Sequence, residues 1–178
     1  MTRSGDRPGD HPDDRRDARR DDRRDDRRDD RRRARSAARL YAVQALFQME
    51  AAGQSADRVI AEFRDHRIGA EHDGERLAEA DPDLFRRLVD EAVNLQARID
   101  QLTDRALVAK WPIARIDPTL RALFRAATAE LIATDAPPRV VISEFVDLAR
   151  AFFPEGREAG FVNAVLDHIA HETRPEAF

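Results

Sequence analysis

Residues 117–131 read Asp-Pro-Thr-Leu-Arg-Ala-Leu-Phe-Arg-Ala-Ala-Thr-Ala-Glu-Leu. The first two residues indicate the start of a helix, because aspartate caps free backbone amides and proline suits the first helical position. Apolar residues then recur at helical spacing, at Leu120, Leu123, Phe124, Ala127 and Leu131. This stretch therefore predicts an amphipathic helix, and the same pattern repeats along most of the chain.

Upstream of this stretch, Asp81-Pro82-Asp83 repeats the cap and begins a long helix that should run to Trp111, with a bend near Asn94. Two earlier helices are predicted, one from residue 35 to just before Gly53 and one from Ser55 to about Arg67. The polar residues 69–79 that follow are typical of a loop.

Downstream, Pro137-Pro138 separates the helix of residues 117–131 from two more. Apolar residues at helical spacing predict one helix over residues 139–153 and another over residues 158–171. No strand alternation of any length appears in the sequence. The predicted class is therefore all-α, a compact bundle of about seven helices.

The N-terminus has a different composition. Residues 13–33 are nearly a repeat of Asp-Asp-Arg-Arg, and Ala18 is their one apolar residue. A period of four places like charges one helical turn apart, which opposes helix formation. We expect residues 1–34 to form a disordered charged tail, residues 35–172 to form one helical domain, and residues 173–178 to form a C-terminal tail.

Several classes of protein are excluded by residues that are missing. The chain has no cysteine, no apolar run of membrane-spanning length and no signal peptide, so we expect a cytoplasmic protein. It has none of the common nucleotide-binding, zinc-hydrolase or serine-hydrolase motifs, so we expect no enzyme activity and no cofactor. His168 and His171 have a spacing that could hold a metal, but no third ligand is indicated, and both are interpreted as surface residues.

Charge is distributed unevenly along the chain. Residues 1–35 contain 14 Arg and 11 Asp, a net charge of +3. Because the whole chain has a net charge of −4, residues 36–178 carry a net charge of −7. A nucleic-acid site must therefore be a local patch, and the run of arginines from Arg31 to Arg35, with Arg39 one turn further, is the best candidate. The alternative is a solvated extension. Phe161, at the start of the last helix, could stack on a base or pack in the core.

Five segments occur in a fixed order over about residues 35–172: Arg39–Phe47, Phe85–Val89 with Ile99-Asp100, Asp117–Leu131, Pro138–Phe152 and Phe161–Asp167. Together they resemble the NusB family, whose first helix carries an Arg-x-x-Ala-x-Gln-Ala-Leu-aromatic pattern and whose last helix begins Phe-Val-Asn-Gly-Val-Leu-Asp. The resemblance implies an all-helical fold of two small bundles. It also implies a transcription antitermination factor that binds the single-stranded boxA element of ribosomal RNA operon transcripts with ribosomal protein S10, also called NusE. Within the elongation complex and with other Nus factors, it would promote read-through by RNA polymerase.

Carried over by position, the resemblance implies a set of RNA-binding residues: Arg32, Arg33, Arg35, Arg39, Lys110, Arg125, Phe161 and Asn163. It assigns Phe47 to the S10 side. The sequence departs from the family pattern at Ser36 and Ala37, where some members have arginine, at Gly160, which is often basic, and at Ala164, which is usually glycine.

Two other functions fit the same fold. NusB-like domains also occur as the RNA-binding part of ribosomal RNA cytosine methyltransferases, but such an enzyme would need a cofactor domain after residue 172. A helical protein-interaction module without RNA function is the other alternative, and a homodimer stays open. Binding of S10 without binding of any single-stranded RNA would favour the interaction module.

Overall fold

The structure is a computed structural model that describes residues 12–107 and 112–178, with side chains from residue 23 onward. The chain divides into two units, residues 1–33 and residues 34–178, and each is described by itself. Within the described residues, no helix combines the length and the apolar character needed to cross a membrane.

Seven α-helices make up most of the described chain, which confirms the all-α class. In chain order they are α1 (Pro12–Ala52), α2 (Ala56–His66), α3 (Pro82–Asn94), α4 (Gln96–Ala106), α5 (Pro118–Ala133), α6 (Pro138–Phe152) and α7 (Glu158–Thr173). Two 3₁₀ turns, Ile113–Arg115 and Pro175–Ala177, stand before α5 and after α7.

The predicted helix caps are present. The side chain of Asp81 accepts hydrogen bonds from the amides of Asp83 and Leu84 at 3.1 and 3.0 Å. Asp117 accepts in the same way from the amides of Thr119 and Leu120 at the start of α5. Each aspartate therefore satisfies amides that the first helical turn leaves without a partner, and the following proline needs none.

The long helix predicted from Pro82 to Trp111, with a bend near Asn94, is divided at Leu95 into α3 and α4. The φ of −108° and ψ of 14° at Leu95 lie outside the helical range. Before the break Val93 is 39% exposed, whereas after it Ile99 is fully buried. After the break, α4 packs against α5 and α7 and buries Ile99, Leu102 and Thr103.

Helix α5 lies at the centre of the unit formed by residues 34–178 and packs against α3, α4, α6 and α7. Its sides are buried all round, including Ala122, Ala126 and Ala129, whose small side chains let neighbouring helices approach. At the other end of the core, the rings of Phe63 and Phe85 stack at 5.8 Å. One contiguous apolar core connects these regions.

The loop predicted over residues 69–79 contains a small hairpin. Strands β1 (Glu71–His72) and β2 (Glu75–Arg76) pair antiparallel around Asp73 and Gly74. Both turn residues have positive φ, 51° and 81°, as the two-residue turn of a hairpin requires and as an Asp-Gly pair tolerates. The segment predicted as a loop therefore contains a short hairpin of two residues in each strand.

Over residues 12–34, the structure shows helix where the sequence predicts a disordered tail. Helix α1 begins at Pro12, while residues 1–11 lie outside the described residues. Two physical terms favour this helix: arginine has a high helix propensity, and a helix that continues into buried turns needs no new nucleation. Half of the i,i+3 pairs in the repeat also have opposite charge, as in Asp25 and Arg28, whose charged atoms lie 3.9 Å apart.

Candidate nucleic-acid interface

Arg39 lies in the core and not on the surface. Only 3% of its side chain is exposed, and its Nε and Nη2 donate hydrogen bonds of 2.8 and 2.7 Å to the two carboxylate oxygens of Glu130. Its Nη1 lies 3.3 Å from Glu144, which also accepts a hydrogen bond of 2.5 Å from Ser36. The structure therefore corrects the prediction for Arg39, because its guanidinium neutralises a fully buried carboxylate and is not accessible to a phosphate.

Arg35, one turn before Arg39, has a different environment. Its side chain is 42% exposed, and its guanidinium lies 3.8 Å from Asp81 and 4.0 Å from Glu130. These distances are long for ion pairs, and the Asp81 side chain is itself 30% exposed. Arg35 therefore retains access to solvent and can exchange a carboxylate for a phosphate, whereas Glu130 limits the directions in which it can point.

Arg125 is predicted to contact RNA, but its donors are engaged within the fold. Its Nε and Nη2 donate to Asp100 at 2.9 Å each, and its Nη1 donates to Glu50 at 3.0 Å. The side chain is only 16% exposed. Arg125 connects α1, α4 and α5, and a phosphate would have to displace two carboxylates, so its assignment to RNA stays a prediction from the sequence.

Arg121 completes the same cluster from the preceding turn of α5. It donates to both carboxylate oxygens of Glu50 and to the carbonyls of Ile113, Ala114 and Ile116. The hydrogen bond from Arg121 is the main cause that lowers the pKa of Glu50, and the bond to Glu50 in turn raises the pKa of Arg121. Arg121 thereby fixes the 3₁₀ turn that precedes α5.

Phe161 has the mixed environment that its position at a helix start suggests. Its side chain is 37% exposed, and its ring meets the buried ring of Phe124 edge to face at 5.8 Å. It lines a cavity with the apolar Leu107, Ile116 and Leu120, the carboxylates of Asp117 and Glu158, and two arginines, Arg115 and Arg157. One part of the ring is therefore held by the core and another part is open to a ligand.

The two arginines beside Phe161 are site candidates that sequence reasoning missed. Arg115 and Arg157 are both exposed. Arg115 precedes α5 in the chain, and Arg157 follows α6. Each is a lone arginine in its own segment, so no local cluster marked either one. Only the folded chain brings both arginines to the cavity that Phe161 lines.

Asn163 is exposed on α7 but does not share the face of Phe161, because two helical positions are separated by roughly 200°. Arg32 and Arg33 are exposed on α1, in the unit formed by residues 1–33. Lys110 lies outside the described residues, so its assignment stays a prediction from the sequence. Among the described residues, no group of histidines and carboxylates could hold a metal ion.

Phe47, predicted to face the protein partner, is 41% exposed near the end of α1. It lines a groove together with Val43 and Gln44 of α1, Phe63 of α2 and Phe152 of α6. Arg67 lies over the ring of Phe63 at 5.1 Å and also lines the groove. The groove is thus mainly apolar and carries one cation, a surface composition that suits contact with another protein.

Comparison with known proteins matches this chain to one family. The model of the NusB family covers residues 36–171. The transcription antitermination protein NusB of Agrobacterium fabrum is 48% identical over 141 residues, which span 79% of this chain and 85% of that protein. That of Rhodopseudomonas palustris is 48% identical over 142 residues, 79% of this chain and 83% of the relative.

Solved structures agree with the sequence matches. T. maritima NusB superposes with a TM-score of 0.65 and 28% identity, covering 80% of this chain and 95% of that one. A crystal structure of the antitermination factors NusB and NusE in complex with dsRNA gives a TM-score of 0.61 and 26% identity, over 77% and 96% of the two chains. These matches define a class, the small all-helical transcription antitermination factors, which are not enzymes. The chain belongs to the NusB family.

Proposed function

We propose that this chain binds the single-stranded boxA element of ribosomal RNA operon transcripts together with ribosomal protein S10 (NusE). In the cytoplasm, this complex joins the transcription elongation complex with other Nus factors and promotes read-through by RNA polymerase. The observation that carries the proposal is the match to a protein of the same fold that was crystallised with NusE and RNA.

The exposed groups of the fold support RNA as a ligand. Arg35 offers a partly solvated guanidinium, and Phe161 offers a ring that a base can stack on. Arg115 and Arg157 stand beside that ring and can neutralise the phosphates that flank a stacked base. We add these two arginines to the proposed contacts, leave out Arg39, and keep as predictions from the sequence Arg32, Arg33, Asn163, Lys110 and Arg125.

The groove that Phe47 lines supports a protein partner on a different part of the surface. The groove is lined by residues of α1, α2 and α6 together with Arg67 and Thr119. The cavity at Phe161 is lined by other residues: Leu107, Arg115, Ile116, Asp117, Leu120, Arg157, Glu158 and Phe161. The two sites share no lining residue. RNA and S10 can therefore be bound at the same time, as a joint complex requires.

The experiment is a fluorescence anisotropy titration of boxA RNA and of a scrambled RNA of equal length, with and without S10, at two salt concentrations. We expect tighter binding of boxA than of scrambled RNA, with a further gain when S10 is present. Arg35→Ala should reduce the slope of log affinity against log salt by roughly 0.7, the value for one lost contact to single-stranded RNA. Arg139→Ala, which alters an exposed arginine on α6, is the matched control and should leave that slope unchanged.

One result would contradict the proposal and favour a protein-interaction module. In that case the chain would bind S10 with unchanged affinity and would bind neither RNA above background at either salt concentration. Equal binding of boxA and scrambled RNA would contradict the proposed sequence preference.

A further inference from the structure

The most unusual surface of the molecule is the part of α1 formed by residues 23–33. Every one of these residues is exposed, and every one is an arginine or an aspartate. The sequence alone predicts a nearly balanced polar tail without a particular surface. In a helix, the same residues are arranged so that most arginines lie on one side and the aspartates on the other.

Over residues 23–32, the helix separates the two charges onto opposite sides. With 100° per residue, the six arginines at 23, 24, 27, 28, 31 and 32 occupy one half of the circumference, from roughly 0° to 180°. The aspartates at 25, 26, 29 and 30 occupy the other half, from roughly 200° to 340°, and Arg33, at roughly 280°, lies among them. We call the first of these two sides the arginine face. Along the axis its arginines repeat every four residues, or about 6 Å.

We propose that the arginine face of residues 23–32 binds backbone phosphates of single-stranded RNA that extends beyond the boxA element. The inference rests on the proposed function, because it assumes that the chain is brought to RNA. Arginine suits this role, since its planar guanidinium pairs with a phosphate through two parallel hydrogen bonds. A row of such groups with a short repeat along one face can contact consecutive phosphates without reading a base.

The arginines are available for this contact. Arg28 lies 3.9 Å from Asp25, and their side chains are 81% and 78% exposed, so solvent screens the pair strongly. A phosphate that approaches the arginine face therefore competes with water and with a weak ion pair. The aspartates face the opposite side and reduce the net charge of the segment, which limits indiscriminate attraction of polyanions.

A second copy of the chain is the other candidate occupant, and the geometry disfavours it. The charge pattern advances by roughly 40° with each repeat of four residues, so two straight helices would face each other with opposite charges over only a few turns. A flexible RNA strand can follow the advance of the arginines around the helix.

The test is a variant of the full chain that keeps composition and net charge but mixes the faces. In Asp26→Arg/Arg27→Asp/Asp30→Arg/Arg31→Asp, two carboxylates stand in the middle of the arginine face and two arginines move to the opposite side. Like charges are no more frequent one turn apart than in the native repeat, so the helix is retained, which circular dichroism checks. The matched control is Arg27→Lys/Arg31→Lys, which keeps the charge of the face.

The probes are boxA RNA alone and boxA RNA extended by 12 uridines at each end, titrated over a range of salt concentrations. For the native chain we expect tighter binding and a steeper salt dependence with the extended RNA. The variant with mixed faces should lose at least roughly 1.4 from the slope with the extended RNA, because two phosphate contacts at about 0.7 each are removed. The lysine control should keep the native slope.

Equal slopes for the native chain and the mixed variant on the extended RNA would overturn the proposal, because net charge alone would then explain the attraction. It would also be overturned if sedimentation showed that the native chain self-associates and the mixed variant does not, with identical RNA binding. Failure of the proposed function is visible separately, as a loss of preference for boxA over scrambled RNA in the native chain. That preference does not depend on the slope that the mixed variant changes.

Discussion

Two groups of arginines in the same helix have opposite environments. Arg39 is 3% exposed and is held by Glu130 and Glu144 from α5 and α6, whereas the arginines of residues 23–33 are exposed along their whole length. In the sequence, both groups of arginines lie in one arginine-rich stretch, which predicts a single basic patch. The difference shows that an arginine becomes part of the scaffold or part of a binding surface according to what packs against it.

The largest expected effect comes from Arg39. Replacing it with alanine leaves Glu130 buried without a counter-charge, so the free energy of unfolding should fall by about 3–5 kcal/mol. Arg35→Ala is the control one turn away, and it should change stability by about 1 kcal/mol or less. Urea denaturation measures both. Equal and small losses would mean that the buried network does not stabilise the fold.

The aromatic pair of Phe124 and Phe161 extends the comparison from charge to packing. Phe124→Ala should reduce stability by about 3–5 kcal/mol, because that ring is fully buried. Phe161→Ala should reduce stability by less and RNA affinity by about 1–3 kcal/mol, because its ring is 37% exposed and open to a base. Denaturation and RNA titration of both variants decide between the two roles. A full loss of stability with unchanged RNA affinity in Phe161→Ala would make that residue a core residue.

Glu50 and Arg121 lie between the two extremes of burial. The pKa of Glu50 is lowered below its ordinary value of 4.5, first by the hydrogen bond from Arg121. A lowered pKa in the folded state contributes stability above the unfolded pKa, and this contribution is lost as pH falls through the folded pKa. Glu50→Gln should therefore be less stable than the native chain at pH 7, by about 1 kcal/mol at most because the pair is partly exposed.

This difference should shrink when denaturation is repeated at pH values below 4.5. Arg121→Gln is the matched variant, because it removes the main donor and should reduce the effect of Glu50→Gln to the part that Arg125 maintains. A stability difference that does not vary with pH would show that Glu50 contributes through packing and not through its charge.

The smallest effect on folding is expected for deletion of residues 1–30. Residues 23–30 bury nothing, and the segment carries no apolar surface that could contribute to the core. The free energy of unfolding should therefore stay within about 0.5 kcal/mol of the native value, as for surface changes in general. Binding of boxA RNA alone should change only modestly. A large loss of stability in urea would show that the exposed arginines belong to the scaffold after all.

Much of the fold could be predicted because its signals are local. The caps at Ser55, Asp81 and Asp117 and the end of α1 at Ala52 follow from residues within one or two turns. The bend predicted near Asn94 lies one residue from the break at Leu95, but the sequence alone does not show that this bend separates two helices. Over residues 12–34, like charges one turn apart predict a disordered tail, whereas the structure extends α1 back to Pro12.

The site could be predicted only in part. Arg35 and Phe161 remain candidates because their side chains reach solvent, and Phe47 lines an exposed groove. Arg39 and Arg125 match the family pattern by position, but both are occupied by carboxylates. No neighbouring residues in the sequence mark Arg115 or Arg157 as site residues. They line the same cavity only in the folded chain, because α5 and α6 separate them in sequence.

The sequence by itself determined the all-helical class, most of the helix ends and the family, because these depend on periodicity, caps and ordered motifs within short stretches. The tertiary structure decided which arginines face solvent. Arg39 and Glu130 are 91 residues apart in the chain, and no local pattern indicates that one will neutralise the other. Burial of a charge requires a partner at hydrogen-bonding distance, and that distance exists only after the helices have packed.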